Sequence, residues 1–126
     1  MTATGCPFCN LAADRIWLQT DSAIALFDSF PVSPGHTLVI PDDHIGALME
    51  LPENDLNDIW NLVSHVRKLL QEKHKPDGFN IGINEGPAAG QTVAHAHIHI
   101  IPRYKGDVPD PRGGIRWVIP DKAKYW

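Results

Sequence analysis

The sequence contains no apolar run of membrane-spanning length and no charged-then-apolar leader at its N-terminus, so it reads as a cytoplasmic chain with no membrane partner. It has only two cysteines, too few for the stapled framework of a small secreted domain. It has no excess of basic charge: 11 Lys and Arg stand against 15 Asp and Glu, a net charge of −4, which argues against nucleic acid or an anionic membrane held through bulk charge. Internal repeats and linkers are missing as well, and the 10 glycines and 11 prolines are scattered as turn punctuation.

What remains is ordinary globular composition, 43% hydrophobic and 21% charged, over 126 residues. That length suits one domain, 1–126, which buries roughly two-thirds of its unfolded surface on folding. Charge is unevenly spread. Residues 1–91 carry 5 basic and 12 acidic side chains, whereas residues 92–126 carry 6 and 3, so an anionic ligand is expected toward the C-terminal third.

Hydrophobic patterning divides the chain. A short helical turn fits 10–16. Ala23–Phe27 and 36–41 read as strands on either side of a Pro- and Ser-containing turn, the second stopped by Pro41. Leu56, Ile59, Trp60, Val63, Val66 and Leu70 recur at helical spacing and predict a long helix over 53–73, with acidic residues in its first turns and basic residues in its last, as the helix dipole favours. Residues 79–84 alternate as a half-buried strand, and 93–101 form another, stopped by Pro102. The Arg-, Pro- and Trp-containing tail offers at most a short strand at 115–119. Strands outnumber the long helix and their connections are of hairpin length, so the fold class is α+β with an antiparallel sheet.

His95-Ala96-His97-Ile98-His99-Ile100 is the most informative segment. On a strand, alternation puts His95, His97 and His99 on one face and Ala96, Ile98 and Ile100 on the other. Three imidazoles in a row have no packing rationale, because buried polar groups need partners. Two chemistries fit. The imidazoles could chelate a metal such as zinc, or one could be a nucleophile that its neighbours orient. The preceding Gly86-Pro87-Ala88-Ala89-Gly90 lets backbone N–H groups approach a ligand closely, and Gln91 and Thr92 add neutral donors. Donors beside a nucleophile suit a phosphate or acyl oxygen that gains charge during reaction.

The run from Asn84 to Arg103, with Gly90-Gln91-Thr92 leading into His95-Ala96-His97-Ile98-His99-Ile100-Ile101, resembles the signature of the histidine-triad (HIT) family of nucleotide hydrolases and transferases. Asp28 with Pro34-Gly35-His36-Thr37-Leu38 is similar to the family's other strand pair. The likeness extends over 5–105 and leaves 106–126 as a C-terminal extension. It implies a HIT-like fold: an antiparallel sheet of five strands, one long helix and a short N-terminal helix. It further implies that His97 attacks the α-phosphorus of a nucleoside phosphate derivative, making a nucleotidyl-histidine that water or another acceptor resolves. By the same resemblance His99 sits beside the phosphate oxygens, with Gln91 and Thr92 on the leaving-group side. Asn84 supports the phosphate site, Asp28 accepts hydrogen bonds from the ribose, His36 packs near the triad, and Phe8, Leu11 and Leu26 line a base pocket. Without the resemblance, Asp28 reads as a turn cap before Pro31, and the three apolar residues as core.

Cys6-Pro7-Phe8-Cys9 has the spacing of half a zinc site, and a redox pair or two unconnected thiols are the alternatives. Zinc-bearing HIT proteins begin with Cys-x-x-Cys, so the resemblance implies one structural zinc held by Cys6, Cys9, His44 and His95. It also implies a homodimer, for which the apolar face of the 53–73 helix, or Trp117, Tyr125 and Trp126, could provide contacts. Diadenosine polyphosphate is the favoured substrate class, with Arg103, Lys105, Arg112 and Arg116 as candidates to meet the polyphosphate. The nucleoside phosphoramidase branch, typically with Ser at the Thr92 place, is the alternative. Two rival functions are a nucleotide-holding regulatory module without turnover, and a zinc hydrolase with all three triad histidines on a catalytic metal. His65 and His74 read as solvated and receive no role.

Overall fold

The computed structural model describes residues 4–126, which include every candidate site residue. Five strands, β1 (Leu18–Gln19), β2 (Ala23–Phe27), β3 (Thr37–Pro41), β4 (Gly78–Ile83) and β5 (Ile98–Arg103), form one antiparallel sheet in the order β1-β2-β3-β5-β4. One long helix, α1 (Glu53–His74), covers one face. Short 3-10 turns lie at Ala13–Arg15, Leu48–Glu50, Pro87–Ala89 and Gly114–Val118, the last leading into the brief helix α2 (Pro120–Ala123). This is the α+β architecture expected, with a 3-10 turn as the short N-terminal helix.

Helix α1 carries Glu53 and Asp55 in its first turn and Lys73 and His74 in its last. It ends where Lys75 turns left-handed at φ 50° and returns its N–H to the Gln71 carbonyl at 3.1 Å. Its buried stripe is Ile59, Leu62, Val63, Val66 and Leu70. Trp60, expected in that stripe, lies off it and is 38% exposed, while Leu62 continues the spacing of three and four. The stripe packs on Ala23, Ala25, Val39, Ile98 and Ile100 of the sheet, so these apolar residues of the helix are buried within the chain itself. At the helix start Asp58 accepts hydrogen bonds from the Thr20 and Ser22 hydroxyls at 2.5 and 2.6 Å, which ties the β1–β2 turn to α1.

Alternation sends Ile24, Leu26, Leu38 and Ile40 to the opposite face, where, among the described residues, the partly buried Phe8, Leu11 and Ile16 pack against them. That thinly covered face also carries His99, which is paired across the sheet with Leu38 on one side and Gly82 on the other.

Three expectations need correction. The strand expected at 93–101 begins only at Ile98, so His95 and His97 precede it. Pro41, which has no N–H to extend the β3–β5 ladder, ends β3. Pro102 does not stop β5, which continues to Arg103; Pro102 falls where β5 has lost its β3 neighbour, a place where a missing N–H is tolerated. Residues 115–119 are not a strand: 115–118 lie in the 3-10 turn and Ile119 caps it, because Gly113 and Gly114 take positive φ of 94° and 47° and Pro120 starts α2.

Candidate functional site

His95 is fully buried. One ring nitrogen, Nε2, lies 2.8 Å from the Pro41 carbonyl, which can only accept, so Nε2 carries the proton and Nδ1 keeps its lone pair. That lone pair faces sulfur: Nδ1 is 3.5 Å from Cys6 Sγ and 3.6 Å from Cys9 Sγ. His44 Nδ1 lies 3.3 Å from Cys9 Sγ. The ligand atoms of Cys6, Cys9, His44 and His95 all fall within 4.8 Å of one another. A tetrahedral zinc with bonds of about 2.3 Å to sulfur and about 2.0 Å to nitrogen would separate S and N by about 3.5 Å, so the three S–N distances fit an ion at the centre. The Pro41 carbonyl supplies the outer hydrogen bond that fixes a ligating imidazole. The structure thus brings together the four residues as one set able to hold a metal.

His97 faces a different acceptor. Its Nδ1 lies 2.8 Å from the His95 carbonyl and must donate, so the neutral ring has its lone pair on Nε2. Phe8, carried between the two cysteines, meets both rings edge-on, with centroids 5.7 Å from His95 and 5.3 Å from His97. Phe8 also packs on the cluster of Leu26, Leu38 and their neighbours, as does Leu11. His97 and His99 stand with ring centroids 5.2 Å apart. Neither belongs to the cysteine set, so a metal site built from all three triad histidines does not form among the described residues.

A second chain of imidazoles runs behind His99. The Val32 N–H donates to His36 Nδ1 at 3.1 Å, so the His36 proton sits on Nε2. That N–H points at His99 Nδ1, 3.0 Å away, with Asp28 Oδ2 at 3.4 Å. His99 therefore accepts at Nδ1 and carries its own proton on Nε2. Burial lowers the pKa of His36, against a smaller opposing pull from Asp28. His99 is lowered too, first by burial, then by repulsion from His97 and His36. Both shifts favour the neutral tautomers that the hydrogen bonds require. Asp28 serves a turn as well, its Oδ1 accepting from the Phe30 N–H at 2.8 Å, so the turn-cap reading is realised beside its approach to His36.

The glycine-rich loop lies beyond the histidines. Gly86 at φ 88° and Gly90 at φ 93° make its turns. Gln91 braces it: Oε1 accepts from the Gly86 N–H at 2.8 Å, and Nε2 donates to the Gly46 and Val93 carbonyls at 3.1 and 3.0 Å. Thr92 is exposed and Asn84 half-buried just past the end of β4. The tail arginines, read as candidates for a polyphosphate, are committed elsewhere. Arg103 bonds both carboxylate oxygens of Asp107 and also Asn80, Arg112 pairs with Asp110, and Arg116 donates to the Lys122 and Ala123 carbonyls. His65 is exposed as expected, but His74 is half-buried and leans so closely on Gly35 that a Cβ there would stand 3.0 Å from its ring.

A sequence profile described as the HIT domain matches residues 11–106. The chain belongs to the HIT domain family. Among HIT relatives, the asymmetrical bis(5′-nucleosyl)-tetraphosphatase of Schizosaccharomyces pombe is 38% identical over 93 residues, spanning 74% of this chain and 51% of that protein. The bis(5′-adenosyl)-triphosphatase of Dictyostelium discoideum is also 38% identical over 93 residues, spanning 74% of this chain and 62% of that protein. Of solved HIT structures, a zinc-bound histidine triad family protein from Mycobacterium smegmatis superposes with a TM-score of 0.72 at 32% identity, covering 90% of each chain.

Within this HIT chain, some working parts had no sequence signal. The carbonyls of Pro41 and His95, which set two tautomers, belong to the backbone and leave no trace in side-chain pattern. The bracing role of Gln91 depends on Gly46, a residue 45 positions away. The His36–His99 contact joins residues 63 apart, and only the family likeness brought His36 near the triad.

Proposed function

We propose that this HIT protein is a nucleotide hydrolase or transferase that acts at the α-phosphate of a nucleoside phosphate derivative, with dinucleoside polyphosphates as the substrate class. The observation that carries the reading is the His97–His95 carbonyl hydrogen bond, which in the neutral ring puts the His97 lone pair on Nε2, the nucleophile. Nε2 attacks the α-phosphorus, a P–N bond forms, and the P–O bond to the polyphosphate leaving group breaks. His99 presents its Nε2 proton to the charge that develops on oxygen, held to that task by His36. Water then adds to phosphorus, the P–N bond breaks with its electron pair returning to Nε2, and the water's proton leaves to solvent. Asn84, Thr92 and the N–H groups of the loop braced by Gln91 support the phosphate. Asp28 meets the ribose, and Phe8, Leu11 and Leu26 form the base wall.

Cys6, Cys9, His44 and His95 would hold one zinc. Four protein ligands fill a tetrahedron, so zinc here supplies cross-linking rather than Lewis-acid chemistry. The zinc-bound mycobacterial neighbour supports this reading. The protein acts as a homodimer in the cytoplasm, where the thiols stay reduced and available to metal. The names of the two hydrolase relatives favour a dinucleoside polyphosphate over a phosphoramidate.

Turnover of diadenosine tetraphosphate beside an AMP–amine conjugate tests the assignment. The dinucleotide should be the better substrate, and His97→Ala should remove its turnover while nucleotide binding stays measurable. Activity retained in that variant would refute the nucleophile, and preference for the amine would move the protein to the phosphoramidase branch.

A further inference from the structure

The His36–His99 pair can be protonated in either of two directions, and only one leaves His99 with a proton on Nε2. With the proton on His36 Nε2, His36 donates to His99 Nδ1 at 3.0 Å and His99 keeps its Nε2–H. With the proton on His36 Nδ1 the order reverses: His99 donates from Nδ1, and its Nε2 becomes a bare lone pair. Two groups select the first direction. The Val32 N–H occupies His36 Nδ1 at 3.1 Å, and Asp28 Oδ2 lies 3.4 Å from His36 Nε2. Val32 belongs to the loop between β2 and β3, so the direction depends on how that loop is held.

The loop is gripped at the consecutive residues Ser33, Pro34 and Gly35, just before His36. The Ser33 hydroxyl donates to the Pro102 carbonyl at 2.7 Å. That carbonyl is open to it because the β3–β5 pairing reaches no further than Ile100. The Pro34 carbonyl accepts from the Tyr104 hydroxyl at 2.8 Å. The Gly35 carbonyl accepts from the hydroxyl of the buried Thr37, also at 2.8 Å. Gly35 takes φ 90°, and a Cβ there would stand 3.0 Å from the His74 ring and 3.2 Å from Pro102 Cγ, so the last residue of α1 closes on the same turn. Pro31 and Pro34 fix two further φ angles in the loop.

We propose that Ser33 and Tyr104 are positioning residues whose hydroxyls clasp the β2–β3 loop to the end of β5, so that the Val32 N–H stays on His36 Nδ1 and His99 keeps its proton on Nε2. Both act through His36 rather than on the reacting atoms. The clasp closes on the strand that carries His99 itself: β5 holds both His99 and Pro102, and Tyr104 follows it directly. The loop that bears His36 and the strand that bears His99 are thereby fixed to each other at two points beyond the ring contact. The value of the clasp to turnover rests on the phosphate chemistry proposed above, whereas its hold on the two tautomers does not.

Heteronuclear NMR of the imidazole nitrogens, on the full chain without substrate and above the ordinary histidine pKa of about 6.5, reads the tautomers directly. In the wild type, His36 and His99 should each show the Nε2–H form. In the double variant Ser33→Ala, Tyr104→Phe, both rings should also populate the Nδ1–H form, while His97, held separately by the His95 carbonyl, stays Nδ1–H. Tyr104→Phe alone removes one oxygen and should show the same change to a smaller extent, which gives the reading even if the double variant unfolds. Ser33→Thr keeps the hydroxyl and should match the wild type. With diadenosine tetraphosphate, the double variant should lose about tenfold in kcat, with KM within about twofold. Unchanged tautomers of His36 and His99, a shift of His97 along with them, or a loss confined to KM would overturn the clasp. Shifted tautomers in a protein whose wild type does not turn over the dinucleotide would uphold the clasp and overturn the phosphate reading alone.

Discussion

Each histidine of the triad is told apart by what its second nitrogen touches. His95 donates to the Pro41 carbonyl and turns a lone pair to the cysteines, His97 donates to its neighbour's carbonyl and, in the proposed reaction, attacks through Nε2, and His99 accepts from His36 and in the same proposal donates from Nε2. His36 is thus a positioning residue. His36→Asn should lower kcat about ten- to a hundredfold, the scale of losing a residue that orients a working imidazole, with KM nearly unchanged. A loss confined to KM would contradict that role. The same pair makes stability depend on pH. The folded pKa values of His36 and His99 lie below the ordinary 6.5, chiefly through burial, so the folded state binds fewer protons than the unfolded one. Their contribution is complete above 6.5 and disappears as pH falls through the depressed values. Between pH 7 and pH 5 the wild-type Tm should therefore fall further than that of His36→Asn, and parallel falls would show that His36 is not one of the groups responsible.

Among the elements, long periodic segments were legible in the sequence and short or irregular ones were not. The stripe of α1 and the alternation of β4 gave those elements within a residue or so of their bounds because uneven burial imposes a period, while β2 and β3, buried on both faces, were legible as short apolar runs between turn residues. β1 is only two residues long and carries no period. The triad's first two histidines sit outside β5 because Pro41 ends the ladder, a consequence of strand pairing rather than of local pattern. The cysteine spacing alone was readable as half a metal site; the other half, His44 and His95, came from the family likeness, and the fold brings the four together. Since Phe8 rides between the cysteines and leans on His97, the loop joins the candidate metal set to His97. Cys9→Ser should reduce zinc from about one per chain to near zero, by elemental analysis, and lower Tm before chemistry fails. Zinc content unchanged in that variant would refute the ligand set. At the other end of the sheet, Asp58→Ala should cost about 1–2 kcal/mol in denaturant unfolding, through the Thr20 and Ser22 hydroxyls it leaves without their acceptor.

For the molecule as a whole, the sheet separates two surfaces of different purpose. α1 seals one face, and the other keeps a light N-terminal cover over Leu26 and Leu38 with the histidines at its edge. The positive balance of the last third promised a polyphosphate patch by arithmetic, but Arg103, Arg112 and Arg116 are used to build the tail. Charge counting sees how many cations a segment holds and not which are already paired. Arg112→Ala should accordingly lower Tm, with kcat/KM for the triphosphate and tetraphosphate dinucleotides changing in the same proportion. A loss selective for the longer chain would restore Arg112 as a polyphosphate contact.

The central claim is a covalent bond between phosphorus and His97. Rapid mixing with diadenosine tetraphosphate, an alkaline quench that preserves phosphorus–nitrogen bonds and mass spectrometry of the digested protein measure it directly. One adenylyl group on the peptide containing His97, absent from His97→Ala, is the expected result. Turnover with no adduct at any time, or an adduct on a different side chain, would contradict the account.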